Sequence, residues 1–520
     1  MSNMAKLVSF LWHMHQPFYK DIVRNSYVMP WAYLHATKDY FGMAALAGEF
    51  PQVHQTFNLV PSLILQLEEY ARDEAHDPMF DLAFKPAADL TNPERAMIAE
   101  RFFPIPVATM LEPYPRYFQL HERRDPLGYS EEDFRDIQVW WTLAWMDHDR
   151  RPADLVQKGR GFSETDKVRL RQLVLKTIGD VVPEYRRHQD AGTMEISTTP
   201  FYHPILPLLV HSRVDDGNVP VEFRFPEDAV EQLRRSREFM RERFGRYPNG
   251  LWPSEGSVSN DVAGIVSKLG FRWMATDEGI LAKSGVHLGD GQRHRMYHPW
   301  VRDGVTMFFR DRNISDLIGF HYMHGTPANA AEDLVRRIQE IPDGGHVTIA
   351  LDGENPWDYY ANSGRDFLRF LFDRIQQEPG LEAVTLSEAC DRMPAEKLDW
   401  LAPGSWAGAN FGIWIGHPED HQAWEWIVRA RAALMERKGV VPAADWDLAH
   451  EELLVAEGSD WMWWFGNDFS SDSDAIFDAL FRQHIANIYY LIGLPLPDGL
   501  EIAIKKSLEG RRTVMPPPIH

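Results

Sequence analysis

The chain has 520 residues, with 76 acidic against 54 basic side chains and a formal net charge of −22. Its apolar fraction of 44% is that of a globular protein, and its length allows two or three domains. The Arg clusters between 234 and 246 are interleaved with Glu, so the chain offers no basic stripe for nucleic acid or an anionic membrane, and neutral substrates suit it better. The single cysteine, Cys390, rules out an intrachain disulfide and reads as a small buried residue. No apolar run reaches the roughly 18 residues of a membrane span. Residues 1–6 lead into a strand-like segment without a secretory apolar region, so a cytoplasmic location is expected.

The first predicted strand, 7–12, ends in His13-Met14-His15-Gln16-Pro17. Two histidines one residue apart on an extended segment point the same way; they could pair on a metal or hydrogen-bond a substrate. A second strand, 55–60, runs into Pro61 as a helix start. From 67 to 187 the sequence turns helical, with charged faces and breaks near Pro104, Pro113 and Pro126. That is too long for one connection and reads as an insertion over the mouth of a barrel. Its segments 134–147 and 164–178 have helical spacing and are read as plain packing.

A third strand, 194–198, precedes Thr199-Pro200-Phe201-Tyr202-His203-Pro204, and an amphipathic helix covers 226–244. The short fourth strand, 249–253, ends in Ser254-Glu255-Gly256, with Asn260 as N-cap of the helix that follows. A glutamate between a strand end and a helix start, beside Trp252 and small residues, is a candidate catalytic group. The fifth strand, 271–276, is tipped by Asp277-Glu278, and the sixth, 305–309, by Arg310-Asp311.

The seventh, 347–351, is uncharged throughout and reads as a strand buried on both faces. It ends in Asp352-Gly353-Glu354-Asn355-Pro356 and then Trp357. Alone, Asp-Gly-Glu could be an ordinary acidic turn; its place at the C-terminal end of a parallel strand favours chemistry. An eighth strand is expected at 382–386, tipped by Ser387-Glu388.

The repeat of strand, polar tip and helix predicts an α/β fold with a parallel barrel or a related open sheet. No phosphate-binding glycine motif and no zincin motif is present, so no cofactor is expected. After about 393 the strands stop, and long helices are predicted at 421–438 and 475–492. Between them lies an aromatic run, 456–468, in which Glu457 and Asp460 suggest a face turned to the cleft. Trp12, Trp252, Trp357, Trp414 and Trp461 to Trp464 stand beside carboxylates, Gly or His; flat rings among hydrogen-bonding groups suit sugars.

Five stretches together resemble glycoside hydrolase family 57, the amylopullulanase and α-amylase side in particular. They are His13 to Pro17; Glu195-Ile196 with Pro200 to Pro207; Trp252 to Gly256; Leu351 to Asn355; and Ser459-Asp460-Trp461 through Gly466. The resemblance implies an incomplete (β/α)7 barrel, here 1–390 including the insertion, and a C-terminal helical domain, 391–520, closing one side of the cleft. It implies a retaining enzyme acting on α-glucans, with Glu255 as nucleophile and Asp352 as general acid/base; Glu354 is the rival acid. His13, His15 and His203 would hold sugar hydroxyls, Trp252, Trp357, Trp414 and Trp464 would stack, and Asp460 and Glu354 would orient substrate. A 4-α-glucanotransferase or branching enzyme shares the same intermediate. The alternatives of another class are a metal-dependent α-mannosidase- or deacetylase-like enzyme using His13 and His15, and an inactive carbohydrate-binding protein. Oligomeric state is not legible.

Overall fold

The computed structural model describes residues 5–508 apart from 124, 126–127 and 215–221, so Pro126 lies outside the described residues. Seven parallel strands build the centre: β1 (Lys6–Met14), β2 (Gln55–Leu59), β3 (Met194–Thr198), β4 (Gly250–Leu251), β5 (Trp273–Asp277), β6 (Val305–Arg310) and β7 (His346–Asp352). They neighbour one another in chain order, and β7 returns to β1 over a long register from Leu7↔His346 to His13↔Asp352. The closure is uneven: β6 meets β7 only at Thr348↔Arg310, and β3 meets β4 only at Thr198↔Leu251. This is the incomplete (β/α)7 barrel that the family resemblance implies.

Strand alternation sorts the side chains. On β1, Val8, Phe10, Trp12 and Met14 pack outward with the surrounding helices, while Leu7 and Leu11 join Trp252, Trp273, Ala275, Phe308 and Ala350 in a separate inner cluster. His13 continues the inner column of β1, and Asp352 continues that of β7. The tightest point inside is Gly250, where a Cβ would lie 1.9 Å from the Trp273 ring. The floor is polar: the half-buried Glu195 carboxylate accepts from the Ser387 backbone N–H (2.9 Å) and hydroxyl (2.6 Å) and from Trp273 Nε1 (2.9 Å).

Long helices surround the barrel: α1 (Glu164–Ala191), α2 (Pro226–Phe244), α3 (Asn260–Lys268) and α4 (Arg312–Phe320). Helix α1 is started by a Ser163/Asp166 capping box and runs past Pro183 to Gly192 at φ 79°. The N-cap of α3 is Ser259, not Asn260: its side chain accepts from the Val262 N–H, and Asn260 is the first helical residue. Between β2 and α1 the chain is helical, and it reaches across to the turn after β7, where Thr109 Oγ1 donates to the Asp358 carbonyl.

The eighth strand, β8 (Leu381–Ala383), is shorter and lower than expected. It pairs with Lys6 to Val8, in the gap below the point where β2 joins β1. Ser387 and Glu388 form no tip. Thr385 caps α5 (Leu386–Arg392), with Glu388 completing a capping box, and Ser387 bonds Glu195 at the barrel floor. Cys390 on α5 is half-buried rather than buried, and burial pushes its thiol up to about 12.

The remaining chain is dominated by α6 (Pro418–Glu436), α7 (Ala443–Ala456) and α8 (Asp474–Leu491). Bridges Val258↔Gly404 and Pro204↔Gly458 join it to the loops after β4 and β3. Asn487 on α8 donates to Glu452 on α7 and to Asp21 after β1. Among the described residues no helix is long and apolar enough to cross a membrane.

Gly250→Ala is expected to overpack the barrel against Trp273 and lower stability by about 1–3 kcal/mol, read as a lower urea midpoint at unchanged m-value.

Candidate active site

The ends of β1, β3, β4 and β7 and two distant segments converge at the C-terminal mouth. Glu255 follows β4 in the left-handed region, at φ 56° and ψ 27°. A non-glycine residue there is strained by about 1–3 kcal/mol and persists only when its surroundings hold it. The clasp is Trp406: its backbone N–H donates to the Glu255 carbonyl (3.0 Å) and its Nε1 to Glu255 Oε2 (2.8 Å). Asp352 ends β7 beside His13 on β1, and its Oδ2 accepts from Asn355 Nδ2 at 2.9 Å.

Three imidazoles stack beside these carboxyls. The His15 and His203 ring centroids are 3.9 Å apart, those of His13 and His203 5.2 Å, and those of His13 and His15 5.5 Å. Asn58 commits its amide N–H to the Thr198 carbonyl (2.6 Å), so its Oδ1 faces His13 Nδ1 at 2.7 Å and that nitrogen is the donor. Burial, then the His15 charge, push His13 down to about 3; burial and both neighbours hold His203 well below its ordinary value. His15 differs. Burial alone would lower it, but the ion pair to Asp460 (2.7 Å), with Glu255 and Asp352 beyond, raises it. One of the three rings therefore holds the positive charge. His203 sits at φ 60°, with Nδ1 3.0 Å from Ser459 Oγ and 4.0 Å from Glu255 Oε1.

One nitrogen from each histidine lies within 4.8 Å of the others, so a metal set is conceivable on distance. The ring planes argue otherwise. An imidazole lone pair lies in the plane of its ring, and these rings face one another at 21–24°. His15 Nε2 is also already held by Asp460. His13 and His15 border the cleft and His203 is stacked behind them, so the three rings do not aim three lone pairs at one point.

Burial, then the facing Asp352 charge, push Glu255 up to about 8. Burial raises Asp352 too, against the pull of Asn355, His15 and Arg310. The Asp352 charge and burial therefore both work against a charge on Glu255. Glu354 is buried with Oε2 unpartnered, and burial and the Asp352 charge raise it well above the carboxylate range.

A cavity of about 460 Å³ collects His13, His15, Glu255, Asp352, Glu354 and Asp460 under the rings of Trp406, Trp463 and Trp464. Two carboxyls thus share an aromatic-walled cleft at the C-terminal face of a barrel. The sequence profile of "Glycosyl hydrolase family 57" matches residues 9–402. The chain belongs to glycosyl hydrolase family 57.

Solved structures of family 57 enzymes share the fold. A branching enzyme from Pyrococcus horikoshii superposes with a TM-score of 0.60 at 14% identity over 99% of each chain. The alpha-amylase AmyC of Thermotoga maritima gives 0.57 at 15% identity, over 94% of this chain and 93% of that one. A Methanocaldococcus jannaschii protein provisionally designated an alpha-amylase is 25% identical over 216 residues, 39% of this chain. The match spans 44% of that relative's length.

Within this family 57 cleft, the residues singled out from sequence divide. Glu255, Asp352, His13, His15, Glu354, Asp460 and Trp464 line one cavity, and His203 lies against them. Three tryptophans expected to stack on sugar do not reach the cleft. Trp252 is buried below His13 and Trp406. Trp357 is buried against Trp12 and Tyr360, with Nε1 donating to the Gly353 carbonyl. Trp414 is buried beneath Trp463. Loop neighbours do not expose a ring whose area gains most from full burial. Glu457 is buried and turned toward Gln232 on α2, away from the cleft.

Sequence reasoning missed Trp406 and gave Trp463 no role of its own. Trp406 stands in Gly404-Ser405-Trp406-Ala407-Gly408, a tryptophan among small residues like that beside Glu255, and this context was the available signal.

Trp406→Phe removes a donor that favours the Glu255 carboxylate, so Glu255 ionises at higher pH. The limb of the pH–kcat/KM profile set by Glu255 should move to higher pH, and the rate at neutral pH should fall about 10–100-fold, as ~1.5–3 kcal/mol of charge-assisted hydrogen bond is lost.

Proposed function

We propose that the chain is a retaining α-glucan-active enzyme that works through a glycosyl-enzyme intermediate, with Glu255 as nucleophile and Asp352 as acid/base. Family membership supports glycosidic chemistry. The observation that supports the roles is how two adjoining cavities divide the carboxyls. The 460 Å³ cavity touches both Glu255 and Asp352; a neighbouring one of about 590 Å³ touches Asp352 alone. The sugar being transferred must meet both groups, and the leaving group only the acid. Glu354 borders only the first cavity, which disfavours it as the acid.

In the first step the Glu255 carboxylate attacks the anomeric carbon. The glycosidic C–O bond breaks, its electrons stay on the leaving oxygen, and that oxygen takes the proton from Asp352. In the second, the Asp352 carboxylate takes a proton from water or a sugar hydroxyl, whose oxygen attacks the same carbon and frees Glu255. His15, braced by Asp460, and the Trp406 N–H favour the charged form of Glu255. His13 and Glu354, which line the first cavity, are placed to hold sugar hydroxyls, while His203 packs behind them.

Transfer to a sugar hydroxyl, as in a 4-α-glucanotransferase or branching enzyme, shares this intermediate; the similar structures include both kinds of enzyme. A cytoplasmic location suits a chain whose one cysteine has no disulfide to form.

Azide separates the roles. With an α-glycosyl fluoride, Glu255→Ala plus azide is expected to give the β-azide, by direct attack from the vacated side. Asp352→Ala plus azide should give the α-azide, by attack on the β-linked intermediate. The reverse pattern would exchange the roles, and no azide product from either would remove the retaining mechanism. Exhaustive chelation should leave product formation from maltoheptaose within twofold of the untreated rate; abolition restored by zinc would return the histidines to a metal.

A further inference from the structure

The second cavity holds two unusual side chains. Phe320, the last residue of α4, is 66% exposed, and Tyr359, in the turn after β7, is 59% exposed. Few large apolar residues in the chain are so open, and both line the same space, with Met323 beside them. Exposed aromatics gathered in one concavity mark a binding surface more than scattered ones do.

The space is continuous with the catalytic cavity. Asp352, Asn355, Trp406 and Trp463 border both. Asp352 stands at the junction, and Glu255 is on one side only. A chain bound across Glu255 must leave past Asp352, which directs its departing end into this second cavity. The occupant therefore follows from continuity: a run of neutral sugar units, whose C–H faces pack on flat rings and whose hydroxyl rims meet Asn355 and the polar edge at Asp316.

We propose that Phe320 and Tyr359 form the platform for the leaving half of an α-glucan, and afterwards for the sugar acceptor that competes with water. This rests on the reading of Glu255 and Asp352 given above. It adds that the 590 Å³ cavity sets chain-length preference and the split between hydrolysis and transfer. Sugar retained on the platform keeps a hydroxyl beside the intermediate; an empty platform leaves the position to water.

The test compares two substrates on wild type, Phe320→Ala/Tyr359→Ala, and Phe320→Trp/Tyr359→Trp. α-Maltotriosyl fluoride places its sugar on the Glu255 side and expels only fluoride, so its release reads the first cavity. Maltoheptaose can span both. For the alanine pair, kcat/KM on maltoheptaose should fall about tenfold more than fluoride release falls, mostly through KM, and products longer than the substrate should decline relative to new reducing ends. The tryptophan pair should restore both. Both side chains are largely exposed, so their loss leaves the core intact, and unchanged thermal melting checks it. Equal changes on the two substrates, or an unaltered product split, would overturn the platform while leaving the Glu255 chemistry standing. Fluoride release from wild type that is absent, or that persists in Glu255→Gln, would overturn both.

Discussion

Glu255 and Asp352 are half-buried on one cavity, and the Asp352 charge raises the cost of ionising Glu255. Much of the mouth serves that constraint. Asn355 favours charge on Asp352; Trp406 favours it on Glu255; the His15–Asp460 pair puts one positive charge near both. Each is worth little alone beside the desolvation of a carboxyl. Together they act against the burial that raises both carboxyls.

The barrel delivers these groups by alternation. The long β1–β7 register carries His13 and Asp352 to the mouth side by side at the top of two inner columns, while the outer columns anchor the strands in the helical shell. Gly250 and Trp273 show how little room is left below. The interior is filled there, so the cavity begins where the strands end. The distant segments that complete the site, Trp406 and Ser459 to Trp464, are tied down by bridges to the loops after β4 and β3 rather than by the barrel.

This division explains what could be read from sequence. The strands of the barrel were legible because an uncharged run ending in a polar tip reports burial on both faces and a C-terminal mouth. The carboxyls and histidines were legible because they sit at those tips. The tryptophans were not sorted: Trp357 and Trp464 occur in similar company, yet one is core and the other lines the cleft. That difference is made by tertiary packing, which short-range context does not encode. Trp406 was missed because its partner is 151 residues away. The eighth strand was misplaced because Thr385, read as strand, caps a helix instead.

The left-handed backbone at Glu255 bears on the history of the chain. A glycine there would adopt the same turn without strain, and removing a buried carboxyl would relieve its neighbour as well. Selection for stability alone would thus favour losing this residue, and drift in a lineage using the fold only to bind sugar would meet little resistance to doing so. A glutamate held at φ 56° and clasped twice by Trp406 is a standing cost that folding does not need. Its presence speaks for a chain still under selection for turnover.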